Sequence, residues 1–364
     1  MYINYMIIIL IPIATVVTIL IGARETLEIF GLSIPTPDYA NYYQQYWSLL
    51  LKLENPYPIT VYPIGFLAFS GVYAIYGLAP KIFFCLTWLY TGYLINGFCK
   101  KYNLTPGTTF YLCIAIIIIN PVYLGTILIS GHYDVVVGLC VLLAVYSLHH
   151  SDQIKSGIYT AFAFLFKFLG IILIFPLVIM KKKINWRVGV IFVALSGGIY
   201  LIGYLLWGPA VFQPFIDQFL RNPQGGSILL VISDILGLDV SILVPIIILG
   251  GILVVSIALY FLNTDIISFS LILLLAFFLI SPVIYVHYST WFLPLAVYWS
   301  ITHNGKLKMT LGLYHIGGLI AALALWFIAG WISSVIIFCI TALYIFMIYL
   351  NRKKNDKIEA LNEK

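Results

Sequence analysis

The chain has 364 residues, 62% of them hydrophobic and only 9% charged, with a formal net charge of +6. A soluble domain carries roughly a quarter charged residues, so this composition excludes one. A transmembrane barrel is excluded too, because the apolar stretches are long and continuous rather than short and alternating. The basic excess lies in short loops between them, where it sets topology and implies no nucleic-acid partner.

In chain order the apolar runs are 5–22, 62–79, 82–99, 108–128, 134–149, 156–180, 188–206, 241–262, 266–282, 288–301, 309–328 and 331–350. The first is too long for a signal-peptide core of about 7–15 residues and no small-residue cleavage site follows. It reads as a retained helix. Cys85, Cys99, Cys113, Cys140 and Cys339 are scattered through apolar sequence, with no metal-ligand spacing. No internal repeat and no inverted pair of broken helices is visible, which disfavours a secondary transporter.

If every run crosses once, Lys100-Lys101 and Lys181-Lys182-Lys183 fall on opposite sides, against the positive-inside rule. Two changes repair this together. Run 62–79, which opens at Tyr62-Pro63, dips in as a re-entrant or juxtamembrane helix. Run 156–180, which carries Lys167 in its middle, folds as a hairpin of two short helices buried by neighbours. The expected fold is an all-α polytopic membrane bundle with about ten spanning helices plus re-entrant or short buried ones. One membrane domain covers 1–350, with outer loops 23–61 and 207–240. A basic cytoplasmic tail, 351–364, follows.

The polar interruptions carry the candidate chemistry. In the first outer loop, Asp38 follows Pro35 and Pro37 and precedes Tyr39, Tyr42, Tyr43, Tyr46 and Trp47. It is either a solvated loop charge or a functional acid, and Tyr42 and Tyr43 can lie at the interface or stack on a sugar. His132 and Asp134 in Ser130-Gly131-His132-Tyr133-Asp134 interrupt apolar sequence on both sides. Ionisable groups at membrane depth face a polar cavity or a partner, and Asp134 can also cap a helix. Lys167, between Phe166 and Phe168, must snorkel, pair with Asp38 or Asp134, or bind an anion such as phosphate. His287 can donate to phosphate or move a proton. Trp291 and Tyr288 can stack on a sugar ring or belong to an aromatic belt. Arg221 in loop 207–240 is a further phosphate candidate or a surface arginine. No metal site and no nucleotide-binding motif is expected.

Five motifs occur in order: Pro37-Asp38-Tyr39 with Tyr42-Tyr43; Asn55-Pro56-Tyr57 with Tyr62-Pro63; Gly131-His132-Tyr133-Asp134; Phe166-Lys167-Phe168 with Pro176; and Ser281-Pro282, His287-Tyr288 and Trp291-Phe292-Leu293-Pro294-Leu295. Together they resemble the GT-C superfamily of membrane glycosyltransferases, in particular its polyprenyl-phosphate-sugar-dependent mannosyltransferase branch. The likeness covers most of residues 1–300. The chain departs from the pattern where members often have Gly-Gln-Phe-Asp and where they often have a second proline near Tyr62-Pro63-Ile64.

The resemblance implies a polyprenyl- or dolichyl-phosphate-linked hexose donor, with mannose the expected sugar. It implies a lipid-linked glycan, glycolipid or glycoprotein acceptor on the extracytoplasmic side. The membrane would be the plasma membrane of a prokaryote or the endoplasmic reticulum of a eukaryote. Membrane lipids are the remaining partners, and no cofactor is expected because the lipid-linked sugar is a substrate. Asp38 maps to the family's catalytic acid in the first outer loop. Lys167, with Arg221 and His287, would stabilise the departing phosphate. A lipid or glycan transporter, and a glycan ligase or polymerase using a pyrophosphate-linked donor, are the alternatives.

Overall fold

The computed structural model describes residues 2–22, 26–29, 32–35, 38–120, 124–180, 183–225, 227–237, 240, 243–303 and 335–350. Helices dominate. Among the described residues the strands form three minimal pairings: Thr26–Ile29 with Leu32–Pro35, Ile179–Met180 with Lys183–Ile184, and a parallel pair, Gln224–Gly225 with Val283–Ile284.

Four described helices are long and apolar enough to cross a membrane: Ile3–Ile21, Ala79–Lys101, Trp186–Gln218 and Val244–Phe261. Ten full spans are not found among the described residues. The other apolar helices run 10–17 residues, below the ~20 that a crossing needs. Polar or helix-ending residues cut them short, such as Pro63 ahead of Ile64–Ile75, His132 ahead of Asp134–His149 and Pro282 after Ile266–Ile280. Run 309–328 and the tail 351–364 lie outside the described residues.

Burial sorts the helices into centre and rim. The short helices Ile266–Ile280 and Leu293–Thr302 bury most of their residues. Of the long ones, Ala79–Lys101 is 61% buried over its apolar window, against 17% for Ile3–Ile21 and 22% for each of the other two. Helices that are apolar all round yet exposed have lipid as their solvent. This is a membrane protein whose buried centre combines the long helix Ala79–Lys101 with shorter helices such as Ile266–Ile280 and Leu293–Thr302.

Run 156–180 does turn back. Helix Gln153–Lys167 ends at Phe168, whose φ of 57° breaks the helical path, and helix Gly170–Val178 follows. The return brings Asn185 to Gln153, whose side-chain Nε2 donates to Asn185 Oδ1 at 3.3 Å. Lys167 is therefore held at one end of the bundle. At the other end Lys101 Nζ lies 2.5 Å from His150 Nε2, so Lys101 and the turn leading to Lys155 share that end. Run 62–79 contains only Ile64–Ile75 as helix, about 18 Å at 1.5 Å per residue. It stays at the Lys167 end, where Gly65 approaches the backbone of Leu165.

Candidate active site

At the Lys167 end the bundle encloses a cavity of about 720 Å³. Five separate stretches of sequence supply the polar and aromatic side chains of interest in its wall. Tyr42 and Tyr43 come from the turn Asp38–Tyr43, His132 from the loop before Asp134–His149, and Lys167 from the end of its helix. Arg221 comes from the loop after helix Gln213–Phe219, and Tyr288, His287 and Trp291 from the segment after Pro282. All of the expected site residues except Asp38 and Asp134 thus line one space. Asp38 opens the turn Asp38–Tyr43, but its side chain lies outside the described residues.

Asp134 stands behind the wall, fully buried. Trp291 Nε1 donates to its Oδ1 at 2.5 Å, and the Lys167 ammonium lies 3.4 Å from the same oxygen. His132 Nδ1 is 3.9 Å from Oδ2. Asp134 sits in the first turn of its helix, where a negative charge suits the dipole. Its carboxylate nevertheless reaches across the fold to Lys167 and Trp291. The glycine at 138 makes that reach possible. A Cβ there would meet the Thr290 carbonyl oxygen at 2.0 Å, so only glycine lets this helix pack against the segment carrying Trp291.

Aromatic rings surround the ammonium. Lys167 Nζ is 5.1 Å from the Tyr133 centroid, 5.2 Å from Tyr288, 5.6 Å from Trp291 and 5.7 Å from Tyr62. Ring faces within about 6 Å attract a cation, and with Asp134 they fix a long side chain that would otherwise be mobile. Tyr62 and Tyr133 were not singled out as ligands in the sequence. Both lie inside motifs quoted above, beside a proline and an aspartate, and that adjacency was the available signal.

Tyr43 hydroxyl and His132 Nδ1 are 3.3 Å apart. The His132 and His287 rings stack at 3.9 Å with 16° between their planes. Burial pushes His287 well below the ordinary histidine range, and the nearby His132 and Lys167 charges add to this. Neutral His287 can accept or donate one hydrogen bond.

His132, Asp134 and His287 bring one ligand atom each within 4.8 Å of the others. A ligated ion lies in the plane of each imidazole, and two stacked, nearly parallel planes share no such point. As placed, Asp134 serves an ammonium, and the three side chains do not converge on one metal.

The segment around Gln224 is strapped to the segment after Ile280. Gln224 N donates to Pro282 O at 2.7 Å, Ser227 Oγ to Ser281 O at 2.7 Å, and Tyr285 hydroxyl to Gln224 Oε1 at 3.4 Å. These bonds hold the loop that carries Gln218 and Arg221 against the His287 segment. Three mutually packed helices, Gly170–Val178, Val244–Phe261 and Ile266–Ile280, add an apolar wall: Ile171, Ile172, Ile248, Leu249, Ile252 and Phe277. Leu249 is 59% exposed on a rim helix, so the apolar wall continues toward the lipid-facing surface.

The family model of glycosyltransferase family 87 matches residues 58–282, more than half of the chain. The match takes in His132, Asp134, Lys167 and Arg221, and lies outside Asp38, Tyr42, Tyr43, His287 and Trp291. No curated protein matches the chain.

Proposed function

The chain belongs to glycosyltransferase family 87, a GT-C-type family of membrane glycosyltransferases, and from that premise we propose that it transfers mannose from a polyprenyl-phosphate donor to a lipid-linked glycan, glycolipid or glycoprotein acceptor. Membership in an enzyme family sets the transporter alternative aside. The proposed protein is multi-pass, with the cavity facing outside a prokaryotic plasma membrane or into the endoplasmic reticulum lumen. It needs no cofactor.

The observation that carries this reading is the two-part cavity. Its lining joins the basic and imidazole groups of Lys167, Arg221, His132 and His287 to isoleucine, leucine and phenylalanine side chains from three helices that pack on one another, Gly170–Val178, Val244–Phe261 and Ile266–Ile280. A lipid monophosphate sugar has the same two-part chemistry: an anionic head on a long hydrocarbon chain. A nucleotide sugar is polar at both ends and carries no hydrocarbon chain to cover the apolar wall.

In the proposed reaction Asp38 takes the proton of the acceptor hydroxyl as general base. The acceptor oxygen bonds to the anomeric carbon while the bond from that carbon to the phosphate oxygen breaks. The lipid phosphate leaves with the electron pair. Lys167, held by Asp134 and the aromatic ring set, stabilises the charge on the departing phosphate, with Arg221 and His287 beside it. One displacement inverts the anomeric centre. Tyr42, Tyr43 and Trp291 bound the sugar.

The test offers purified protein three radiolabelled donors with a total lipid extract of the source membranes as acceptor: polyprenyl-phosphate mannose, its pyrophosphate-linked counterpart and GDP-mannose. Transfer from the monophosphate alone, unchanged by a chelator, is expected. Transfer from the pyrophosphate alone would replace the reading with the ligase or polymerase alternative, and transfer from GDP-mannose would overturn the lipid donor.

A further inference from the structure

A fully buried lysine lies outside the cavity wall. Lys81 is in the first turn of Ala79–Lys101 and is only 1% exposed. The first turn is the positive end of a helix, the less favourable place for a cation. Burying an ammonium is costly unless its hydrogen bonds are met. A lysine kept there against both costs holds something in place.

Three strands of the chain converge on it. Its Nζ donates at 2.9 Å to the carbonyl of Gly22, the left-handed residue (φ 64°) that ends the first helix. That carbonyl is at the negative end of a helix and suits a cation. The ammonium is 5.9 Å from the centroid of the Tyr39 ring, and the Tyr39 hydroxyl donates to Gly77 O at 2.8 Å. The third strand is Gly131, at φ 69°, where a Cβ would lie 2.9 Å from Tyr39 Cδ2 and 3.3 Å from the Lys81 stem. Tyr39 follows Asp38 in sequence, and Gly131 precedes His132. The two contacts are thus each one residue away from a proposed site residue.

We propose that Lys81 is a positioning residue for sugar transfer: it ties the end of the first helix to the acid-bearing turn Asp38–Tyr43 and to Gly131, and so sets where Asp38 and His132 stand relative to each other. This rests on the reading of Asp38 as the base. Lys81 does not line the cavity and touches no substrate. Removing its charge loosens the turn and slows the step in which the base acts, while donor binding at Lys167 continues.

The experiment compares wild type, Lys81→Met, Lys81→Arg, Gly131→Ala and Asp38→Asn, with and without Lys81→Met. Full-length protein in nanodiscs is assayed with synthetic polyprenyl-phosphate mannose and the lipid-extract acceptor. Lys81→Met should lower kcat by about 10–100-fold, the usual cost of a misplaced catalytic group, with donor KM changed by less than about threefold. Lys81→Arg should recover part of kcat. Gly131→Ala keeps the charge but displaces Tyr39 and the lysine stem, and should also lower kcat at near-constant KM. In the Asp38→Asn background Lys81→Met should cost nothing further, because there is no base left to misplace.

Wild-type kcat in Lys81→Met, or an additive loss in the double variant, overturns the proposal. If Lys81→Met does not fold, Gly131→Ala decides, and unchanged kcat there also overturns it. Full activity in Asp38→Asn instead sinks the base reading, and does so whatever Lys81 does.

Discussion

Each end of the bundle holds a lysine–aspartate pair, and the two pairs differ in the property that matters. Lys155 and Asp152 are 2.9 Å apart, with side chains 65% and 36% exposed. Lys167 and Asp134 are 3.4 Å apart, with side chains 14% and 0% exposed. The shorter contact is the weaker one. Water screens the exposed pair and side-chain entropy opposes it. The buried pair sits where a lone charge is costly, so each partner depends on the other. The histidines repeat the contrast: His132 and His287 stack at 3.9 Å against the cavity, whereas His149 and His150 lie edge-on and exposed. Identical residue types act as solvated surface at one end and as a positioned charge array at the other.

The largest effect is expected from Asp38→Asn. The amide matches the carboxylate in shape but cannot take a proton, and base catalysis supplies about 10²–10⁴-fold. Transfer should fall by that order in a protein whose melting temperature is unchanged. Asp134→Leu should be next. It strands the Lys167 ammonium and the Trp291 N–H, and losing one partner of a buried pair costs about 3–5 kcal/mol. A clear drop in melting temperature is the readout. Asp134→Asn, which can still accept from Trp291, should lose less.

These two variants bear on what the sequence made legible. The pairing of Lys167 with Asp134 was one of the options open to a lysine set among phenylalanines, because a cation at membrane depth has few outcomes. The turn at Phe168 was legible as well, since basic residues flank both ends of one apolar run. The Trp291–Asp134 bond was not. It joins positions 157 residues apart and depends on a close approach at Gly138 that no local pattern announces. Four described helices reach crossing length where about ten spans were expected, and the reason is related: hydropathy reports apolar length, and helices covered by protein need not cross the whole bilayer. Lys81 escaped notice because a lysine at a helix start reads as an interface residue until its burial is known.

A smaller effect is expected from pH. His287 is held neutral by burial, so its proton affinity is lower in the folded than in the unfolded protein. Its contribution to stability is therefore full above the ordinary histidine value of 6.5 and declines as pH falls below it. The melting temperature of wild type should drop on acidification from about pH 7.5 to about 5.5. His287→Gln should flatten that slope. An unchanged slope would mean that His287 is protonated or solvated. The smallest effect, within error of zero, is expected from Lys155→Ala on both turnover and melting temperature. A loss there comparable to that of Asp134→Leu would erase the contrast between the two ends.

The central claim is that the Lys167 ammonium, paired with the buried Asp134, holds the donor phosphate. It is tested most directly by equilibrium binding of synthetic polyprenyl-phosphate mannose in the Asp38→Asn background, where no transfer obscures the result. Adding Lys167→Met should weaken binding roughly 10- to 100-fold, the worth of one charge-assisted contact, and Lys167→Arg should restore part of it. Equal donor affinity with and without the lysine, in folded protein, would contradict the claim and leave Lys167 as a structural partner of Asp134.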